Sequence, residues 1–218
     1  RIGEVTSDSA IVWMRVTRHS ERNHDGLDLR GKGGDRTVPD GVAVDSLEGA
    51  APGAPGQVRF RYATDPNLSD PIATPWTDVS SQADYSHQFR LSDLNPDTLY
   101  HYAADTSGPN GSPVHDSLRG SFRTAPSAGS QHDFTFVVVT CFMYAEMGAR
   151  DGFRIFDTIR EMNPSFAIFT GDNVYYDNEN PRATTPAVAR YHWHRMFSFL
   201  KHTQFFLSVP TYWQKDDH

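Results

Sequence analysis

The chain has 218 residues, a formal net charge of −7, 38% hydrophobic residues and a single cysteine. This length allows one large domain or two small ones and is enough to bury a core without disulfides. Its apolar runs are far shorter than the ~20 residues of a membrane-spanning helix. The acidic charge disfavours nucleic acid as a main partner, and one cysteine excludes an intrachain disulfide.

Residues 1–125 carry the pattern of an all-β domain. Turn-forming segments such as Asp65-Pro66-Asn67 and Gly108-Pro109-Asn110-Gly111 separate short runs of apolar and alternating residues. These runs predict strands at residues 10–16, 58–63, 87–91, 99–103 and 120–124. Tyr100 follows an Asn-Pro-Asp turn, which predicts a tyrosine corner, a feature of β-sandwiches in which the tyrosine hydroxyl bonds to upstream backbone. An ordinary tyrosine at a strand start is the alternative.

Two further segments of this first half have a distinct composition. Residues 19–56 are rich in Gly, Pro and Asp and predict a long, partly mobile insertion between the first two strands. Residues 126–131 are small and polar, as is typical of a linker.

Residues 132–218 carry the pattern of an α/β domain. The near-continuous apolar run at 134–139 predicts a strand buried on both faces of a parallel sheet. Asp151 is the expected N-cap of the next helix, which stops at Asn163-Pro164. Its expected apolar face consists of Phe153, Phe156, Ile159 and Met162. A strand at 166–169, a helix from 186 to about 201 and a strand at 205–209 complete a predicted β-α-β-α-β order.

Polar residues follow each predicted strand of this sheet. Cys141 follows the first strand, Asp172 and Tyr175 follow the second, and Asp216-Asp217-His218 come after the third. Because ligands bind beyond the carboxyl ends of strands in open α/β sheets, these residues predict a metal site. Each also has an ordinary alternative: a buried apolar role for the cysteine, a turn role for Asp172, packing for the tyrosine and a solvated position for the histidine.

The donor types indicate which ions would bind. The Asp172 carboxylate could bridge two cations, while the thiolate of Cys141 and the phenolate of Tyr175 favour a trivalent ion such as Fe(III), and a second, harder ion would prefer oxygen ligands. Two such ions can hold a phosphoryl group and make hydroxide available near neutral pH. A nearby protonated histidine could then protonate the leaving alkoxide.

Two other groups of polar residues are not expected to bind metal. His192 and His194 are two apart on a predicted helix and face different directions, so we expect packing or surface roles. Residues 177–180 are rich in acidic and amide side chains but lack the spacing of a calcium-binding EF-hand. We expect them to form a solvated loop near the rim of the site.

These residues together resemble the alkaline phosphatase D (PhoD-like) family of the calcineurin-like metallophosphatase superfamily. The resemblance covers almost the whole chain and depends on Leu94-x-Pro96-x-Thr98-x-Tyr100, Phe122-Arg123-Thr124-Ala125-Pro126, Cys141, Gly171-Asp172-Asn173-Val174-Tyr175, Arg190-Tyr191 and Asp216-Asp217-His218. It implies an α+β multi-domain fold. An Ig/fibronectin III-like β-sandwich (1–125) and a linker (126–131) would precede the first β-α-β-α-β part of an α/β metallophosphatase domain (132–218).

The resemblance also implies roles for single residues. Cys141 and Tyr175 would bind Fe(III), and Asp172 would bridge it to a second divalent ion, expected to be Ca(II). Asp217 would stand where the superfamily has its asparagine ligand to the second metal, and His218 would stand where it has the catalytic histidine. Phosphate monoesters or diesters of small molecules would be the substrates. An extracellular or periplasmic location is expected, although no signal peptide is present.

The superfamily has further ligands downstream of these residues, including an Asp-x-His pair, and the sequence ends before them. We therefore expect a truncated phosphatase domain that holds about half a metal site and is inactive alone. A non-enzymatic β-sandwich binding or adhesion module with a degenerate α/β domain is the main alternative. Another metal-dependent esterase on the same scaffold is a further one, since a fold does not determine a substrate.

Overall fold

The computed structural model describes residues 1–108 and 115–218, which form mostly β-structure with few helices. Its first eight strands are β1 (Ile2–Gly3), β2 (Ala10–Arg15), β3 (Gly56–Ala63), β4 (Ile72–Ala73), β5 (Thr77–Val79), β6 (Ser86–Leu91), β7 (Leu99–Ser107) and β8 (Leu118–Arg123). They are followed by β9 (Phe136–Val139), α1 (Ile155–Glu161), β10 (Phe166–Phe169), α2 (Pro186–Phe197), α3 (Leu200–Phe206) and β11 (Thr211–Trp213). The predicted turn at 108–111 lies outside the described residues from position 109 onward.

The first eight strands form two antiparallel sheets around one core. One sheet has the order β1-β2-β6, and the other has the order β4-β3-β7-β8 with β5 paired to β3. Buried and half-buried residues alternate strictly along β3, so that Val58, Phe60 and Tyr62 enter the core. Val12 and Phe89 enter the same core from the opposite sheet. The five strands predicted in this half are confirmed, with shifts of a few residues at their ends.

The tyrosine corner is confirmed. The backbone N–H of Asn95 donates to the Tyr100 hydroxyl at 2.9 Å, and the Tyr100 ring stacks on Phe122 with centroids 5.6 Å apart. The Thr124 hydroxyl donates to the Asn95 carbonyl at 2.6 Å and accepts from the Thr98 N–H at 2.9 Å. These bonds fasten the turn before β7 to the end of β8.

The last three strands form a parallel sheet with the order β11-β10-β9. All three helices contribute buried side chains to the core on one face of this sheet, for example Phe156 from α1, Met196 from α2 and Phe205 from α3. On the other face Phe136 and Val138 are 48% and 55% exposed. The prediction that this first strand is buried on both faces is therefore wrong, because β9 is an edge strand and the helices cover one side only.

The predicted third strand at 205–209 and the predicted second helix are also corrected. Phe205 and Phe206 end helix α3, and the last strand begins only after Pro210. His202, Phe205 and Phe206 are buried at the i, i+3, i+4 spacing of a helix, which a short apolar run does not reveal. The predicted helix 186–201 divides where Ser198 ends α2 and the extended Phe199 caps α3. The order is therefore β-α-β-α-α-β.

The start of α1 differs from the prediction, whereas its stop agrees. Asp151 lies before the helix and pairs with Lys201 at 3.1 Å, and Arg154 occupies the N-cap position. Met162 is exposed rather than part of the apolar face. Asn163 has a φ of 46° and ends the helix before Pro164, as predicted.

The insertion at 19–56 has more structure than its composition suggests. It contains a short 3-10 turn at Val44–Ser46. Leu47 and Ala50 are buried against Val188 and Tyr191 of α2. The insertion therefore packs on the helical half of the chain through these residues.

Two buried histidines stabilise the helical half in their neutral form. A ring nitrogen of His192 lies 2.7 Å from the Pro181 carbonyl, and one of His202 lies 2.6 Å from the Met196 carbonyl. Burial lowers the pKa of both imidazoles to about 3. The expected packing role of His192 is thus confirmed.

These histidines make the fold sensitive to acid. An unfolded histidine has a pKa near 6.5, so between pH ~6.5 and ~3 the unfolded chain binds more protons and acid favours unfolding. Lowering the pH from 7 to 5 should cost about 2 kcal/mol of unfolding free energy per histidine, measured by urea denaturation. A His202→Gln variant should lose its share of this pH dependence, whereas His24→Gln, at an exposed position, should not. If the unfolding free energy depends on pH equally in wild type and in His202→Gln, the lowered pKa of His202 is contradicted.

Candidate metal centre

The carboxyl ends of β9, β10 and β11 meet at one edge of the parallel sheet. The loops after β9 and β10 are joined there by backbone bonds: the Cys141 N–H donates to the Gly171 carbonyl at 3.4 Å, and the Phe142 N–H donates to the Asp172 carbonyl at 2.9 Å. The side chain of Thr140 adds a bond to the Gly171 carbonyl at 3.1 Å. The two loops therefore hold each other in place.

Three neighbouring residues of these loops have left-handed backbone. The φ angles are 61° at Cys141, 48° at Asp172 and 123° at Gly171. Such a conformation costs about 1–3 kcal/mol at a non-glycine residue and is retained where the surroundings enforce it. Gly171 has no room for a side chain, because an added Cβ would overlap the side chain of Asp216. Two of these strained residues, Cys141 and Asp172, carry candidate donor side chains.

Cys141 and Tyr175 converge on one oxygen of Asp172. The thiol of Cys141 lies 3.5 Å from Asp172 Oδ2, and the phenol of Tyr175 donates to the same oxygen at 3.1 Å. Burial raises the pKa of the Tyr175 phenol, and its contacts with Cys141 and Asp172 raise it further. Asp172 Oδ1 is buried and has no hydrogen-bond partner. A buried carboxylate oxygen without a partner is costly, and a cation would satisfy it.

Asp172 also belongs to a second group. One donor atom each of Asp172, Asp217 and His218 lies within 4.8 Å of the others. The Tyr175 and His218 rings are 4.7 Å apart. His218 Nδ1 lies 2.8 Å from a carboxylate oxygen of Asp177. This bond raises the pKa of His218, and the charges of Asp172 and Asp217 contribute in the same direction.

The structure thus brings all five residues predicted from the sequence to one edge of the sheet, with Asp172 shared between the two groups. Cys141 is exposed at the surface rather than buried in the core, which excludes its ordinary alternative. Tyr175 is 7% exposed, and its hydroxyl faces the carboxylate. Their roles toward metal stay predictions.

Asp177 and Asn173 are polar residues of this region for which the sequence pattern predicts no role at the site. Nothing in the local sequence shows that Asp177 meets a histidine 41 positions away. The Asn173 amide donates to the Gln214 carbonyl at 3.2 Å, while its own carbonyl is buried without a partner. Asn173 lines a small pocket of about 220 Å³ beside His218, together with Trp193 and Trp213.

The loop that carries Asp177 is partly buried, contrary to prediction. Glu179 is 1% exposed and pairs with the equally buried Arg195 at 3.4 Å. Its other oxygen accepts from the Ala145 N–H at 2.7 Å, and Arg195 donates to the Asn180 carbonyl at 2.8 Å. Burial raises the pKa of Glu179, and the charge of Arg195 opposes that effect. The prediction of a solvated loop is therefore wrong for Glu179 and Asn180.

Two solved phosphatase structures share this arrangement of sheets and helices. A structure of PhoD matches with a TM-score of 0.69 at 17% identity, over 100% of this chain and 38% of its own. The purple acid phosphatase PPD1 from yellow lupin (Lupinus luteus) seeds matches with a TM-score of 0.57 at 13% identity, over 100% of this chain and 34% of its own. At these identities the likeness concerns the fold alone, and the chain spans little more than a third of either protein.

The family follows from the sequence itself. Residues 1–126 match the family described as PhoD-like phosphatase, N-terminal domain, and the chain belongs to that family. The resemblance drawn from its motifs is thereby confirmed. A comparison with curated proteins gives no match. Among the described residues, no helix has the length and apolar character needed to cross a membrane.

Proposed function

We propose that the protein is a metal-dependent phosphohydrolase, a PhoD-like alkaline phosphatase or phosphodiesterase that acts on phosphate monoesters or diesters. The observation that carries the proposal is the position of Asp172. One of its carboxylate oxygens contacts Cys141 and Tyr175, and the other is buried and unpartnered. A donor atom of Asp172 also lies within 4.8 Å of donor atoms of Asp217 and His218. Membership of the PhoD-like family supports it.

The donor set fits two different cations. Cys141, Tyr175 and Asp172 would hold Fe(III), since thiolate and phenolate are anionic donors that suit a trivalent ion. Asp172 and Asp217 would hold a second divalent ion, for which Ca(II) is our choice because calcium prefers oxygen ligands. The pair of ions would supply positive charge for the phosphoryl group and make hydroxide available near neutral pH.

The remaining residues have roles in positioning and proton transfer. His218 would protonate the leaving alkoxide, and the Asp177 carboxylate holds its Nδ1 and so orients the other ring nitrogen. The backbone bonds that Cys141 and Phe142 donate to the Gly171 and Asp172 carbonyls keep the two ligand loops at a fixed separation. Preorganised donors of this kind reduce the cost of reaching the transition state.

We also propose the organisation and location of the chain. Residues 1–125 would form an Ig/fibronectin III-like domain, 126–131 a linker, and 132–218 the N-terminal part of a calcineurin-like metallophosphatase domain. The two sheets that share one core and the tyrosine corner support the first assignment. An extracellular or periplasmic location is proposed from family membership.

Metal analysis and hydrolysis assays of the intact protein test this function. We expect bound iron together with a second divalent ion, and cleavage of 4-nitrophenyl phosphate or its bis-aryl diester that is lost on chelation and restored by the metals. A protein without bound metal and without hydrolysis would instead be the non-enzymatic binding module. Cleavage of carboxylate esters alone would indicate the other esterase.

A Tyr175→Phe variant tests the ligand assignment separately. A phenolate bound to Fe(III) gives the intact protein a visible charge-transfer band, so the variant should lose that band while retaining its fold by circular dichroism. Tyr176→Phe is the matched control, because the Tyr176 hydroxyl accepts from Trp193 and does not face Asp172. A band that survives Tyr175→Phe would rule out this tyrosine as the iron ligand.

A further inference from the structure

A segment of the insertion lies along the loop that carries Asp177. The Gly33 N–H donates to the Asn178 carbonyl at 2.9 Å, and the Asn180 N–H donates to the Gly31 carbonyl at 2.9 Å. The Arg182 N–H donates to the Arg36 carbonyl at 2.7 Å. Backbone bonds therefore join residues 31–36 to the loop at 176–182 along its outer side.

Side chains strengthen the same contact. The Asn180 amide donates to Asp35 Oδ1 at 3.0 Å, and the Asn180 side-chain carbonyl accepts from the Arg36 N–H at 3.0 Å. Asn180 thus bonds to the insertion through both ends of its amide, while its backbone carbonyl accepts from the buried Arg195. The loop is held from outside by the insertion and from inside by α2.

Gly34 lies directly against the backbone of the loop. It is buried, has a φ of +58°, and an added Cβ would overlap the Asp177 carbonyl. Any side chain at this position would displace the backbone of Asp177, whose carboxylate holds His218. Gly41, in the same insertion, has a similar φ of +77°, but a Cβ there would meet no atom within 4 Å.

We infer that residues 31–36, named here the brace, position the loop at 176–182 and thereby hold Asp177 against His218. Gly34 and Asp35 are then positioning residues for the phosphohydrolase reaction, although both lie in the insertion of the N-terminal half. The catalytic consequence rests on the proposed function, whereas the structural contact does not. The two parts are therefore tested by different measurements.

Hydrogen exchange on the intact protein tests the contact without any assay of activity. In Gly34→Ala the amides of residues 176–182 should exchange about tenfold faster than in wild type, because the displaced loop opens more often. Gly41→Ala carries a comparable backbone strain without the overlap, so its loop should exchange at the wild-type rate. Equal exchange in Gly34→Ala and Gly41→Ala would overturn the brace.

Kinetics on phosphate esters test the consequence. Gly34→Ala should lower kcat about tenfold with little change in KM, because a misplaced general acid affects the chemical step more than binding. In an Asp177→Asn background the same change should have no further effect, while an equal loss in both backgrounds would refute the role through Asp177.

If Gly34→Ala does not fold, the surface change Asp35→Ala should show the same pattern at a smaller magnitude. A wild-type protein without activity would refute the proposed function. The brace would then be tested by the hydrogen-exchange result alone.

Discussion

An Asp172→Ala variant of the intact protein should bind neither metal ion and should lose at least about a thousandfold in kcat/KM. The carboxylate is shared by both groups of donors, so its removal leaves neither ion with a complete set of ligands. Metal catalysis contributes several kcal/mol, and about 4 kcal/mol corresponds to a thousandfold change in rate. Elemental analysis and a steady-state assay measure the two effects.

Asp216→Asn is the matched control for this prediction. Asp216 directly precedes Asp217 in the chain but is not part of the donor cluster of Asp172, Asp217 and His218. The substitution keeps the shape of the side chain next to Gly171. It should retain both ions and most of the activity. Substantial turnover by Asp172→Ala would refute the bridging role of this aspartate.

An Arg195→Ala variant should lose about 3–5 kcal/mol of unfolding free energy. The substitution leaves Glu179 buried and without its counter-charge, which is among the most destabilising single changes in a folded protein. Arg195 also packs its guanidinium 4.4 Å from the Tyr144 ring and donates to the Asn180 carbonyl. Urea denaturation at neutral pH measures the loss.

Arg160→Ala is the control for the buried pair. The Arg160 guanidinium lies 4.0 Å from the Asp157 carboxylate, with side chains 39% and 38% exposed, and such surface pairs contribute about 0–1 kcal/mol. The two arginine variants should therefore differ clearly in stability. Similar losses for both would mean that burial of the Arg195–Glu179 pair contributes little to the fold.

Local sequence patterns predict the strands that have one solvent-facing side and one buried side. The alternation along 58–63 and the turn before Tyr100 are properties of adjacent residues, and both agree with the structure. The secondary structure of short apolar runs is harder to predict, because the sequence at 205–209 fits a strand or a buried helix end equally well. The run at 134–139 was interpreted as fully buried, since its sequence does not show that β9 is an edge strand.

The candidate site was predictable where topology alone decides the positions of its residues. Cys141, Asp172 and Tyr175 follow strands whose carboxyl ends meet at one edge, so a sheet prediction sufficed to bring them together. Asp177 and Glu179 were misjudged because their partners are remote in sequence. A run of polar residues is typical of a solvated loop. The sequence does not show that His218, Arg195 and the insertion lie beside this one.

The match to the N-terminal family ends at residue 126, yet the insertion within it depends on residues beyond that point. Arg22 donates to the Arg195 carbonyl and stacks 3.9 Å over Phe199, while the Tyr191 hydroxyl donates to the Glu48 carbonyl. The first 126 residues are therefore not self-sufficient in their contacts. A chimera that joins them to a different partner sequence would need helices that supply the same carbonyl, aromatic ring and hydroxyl to the insertion.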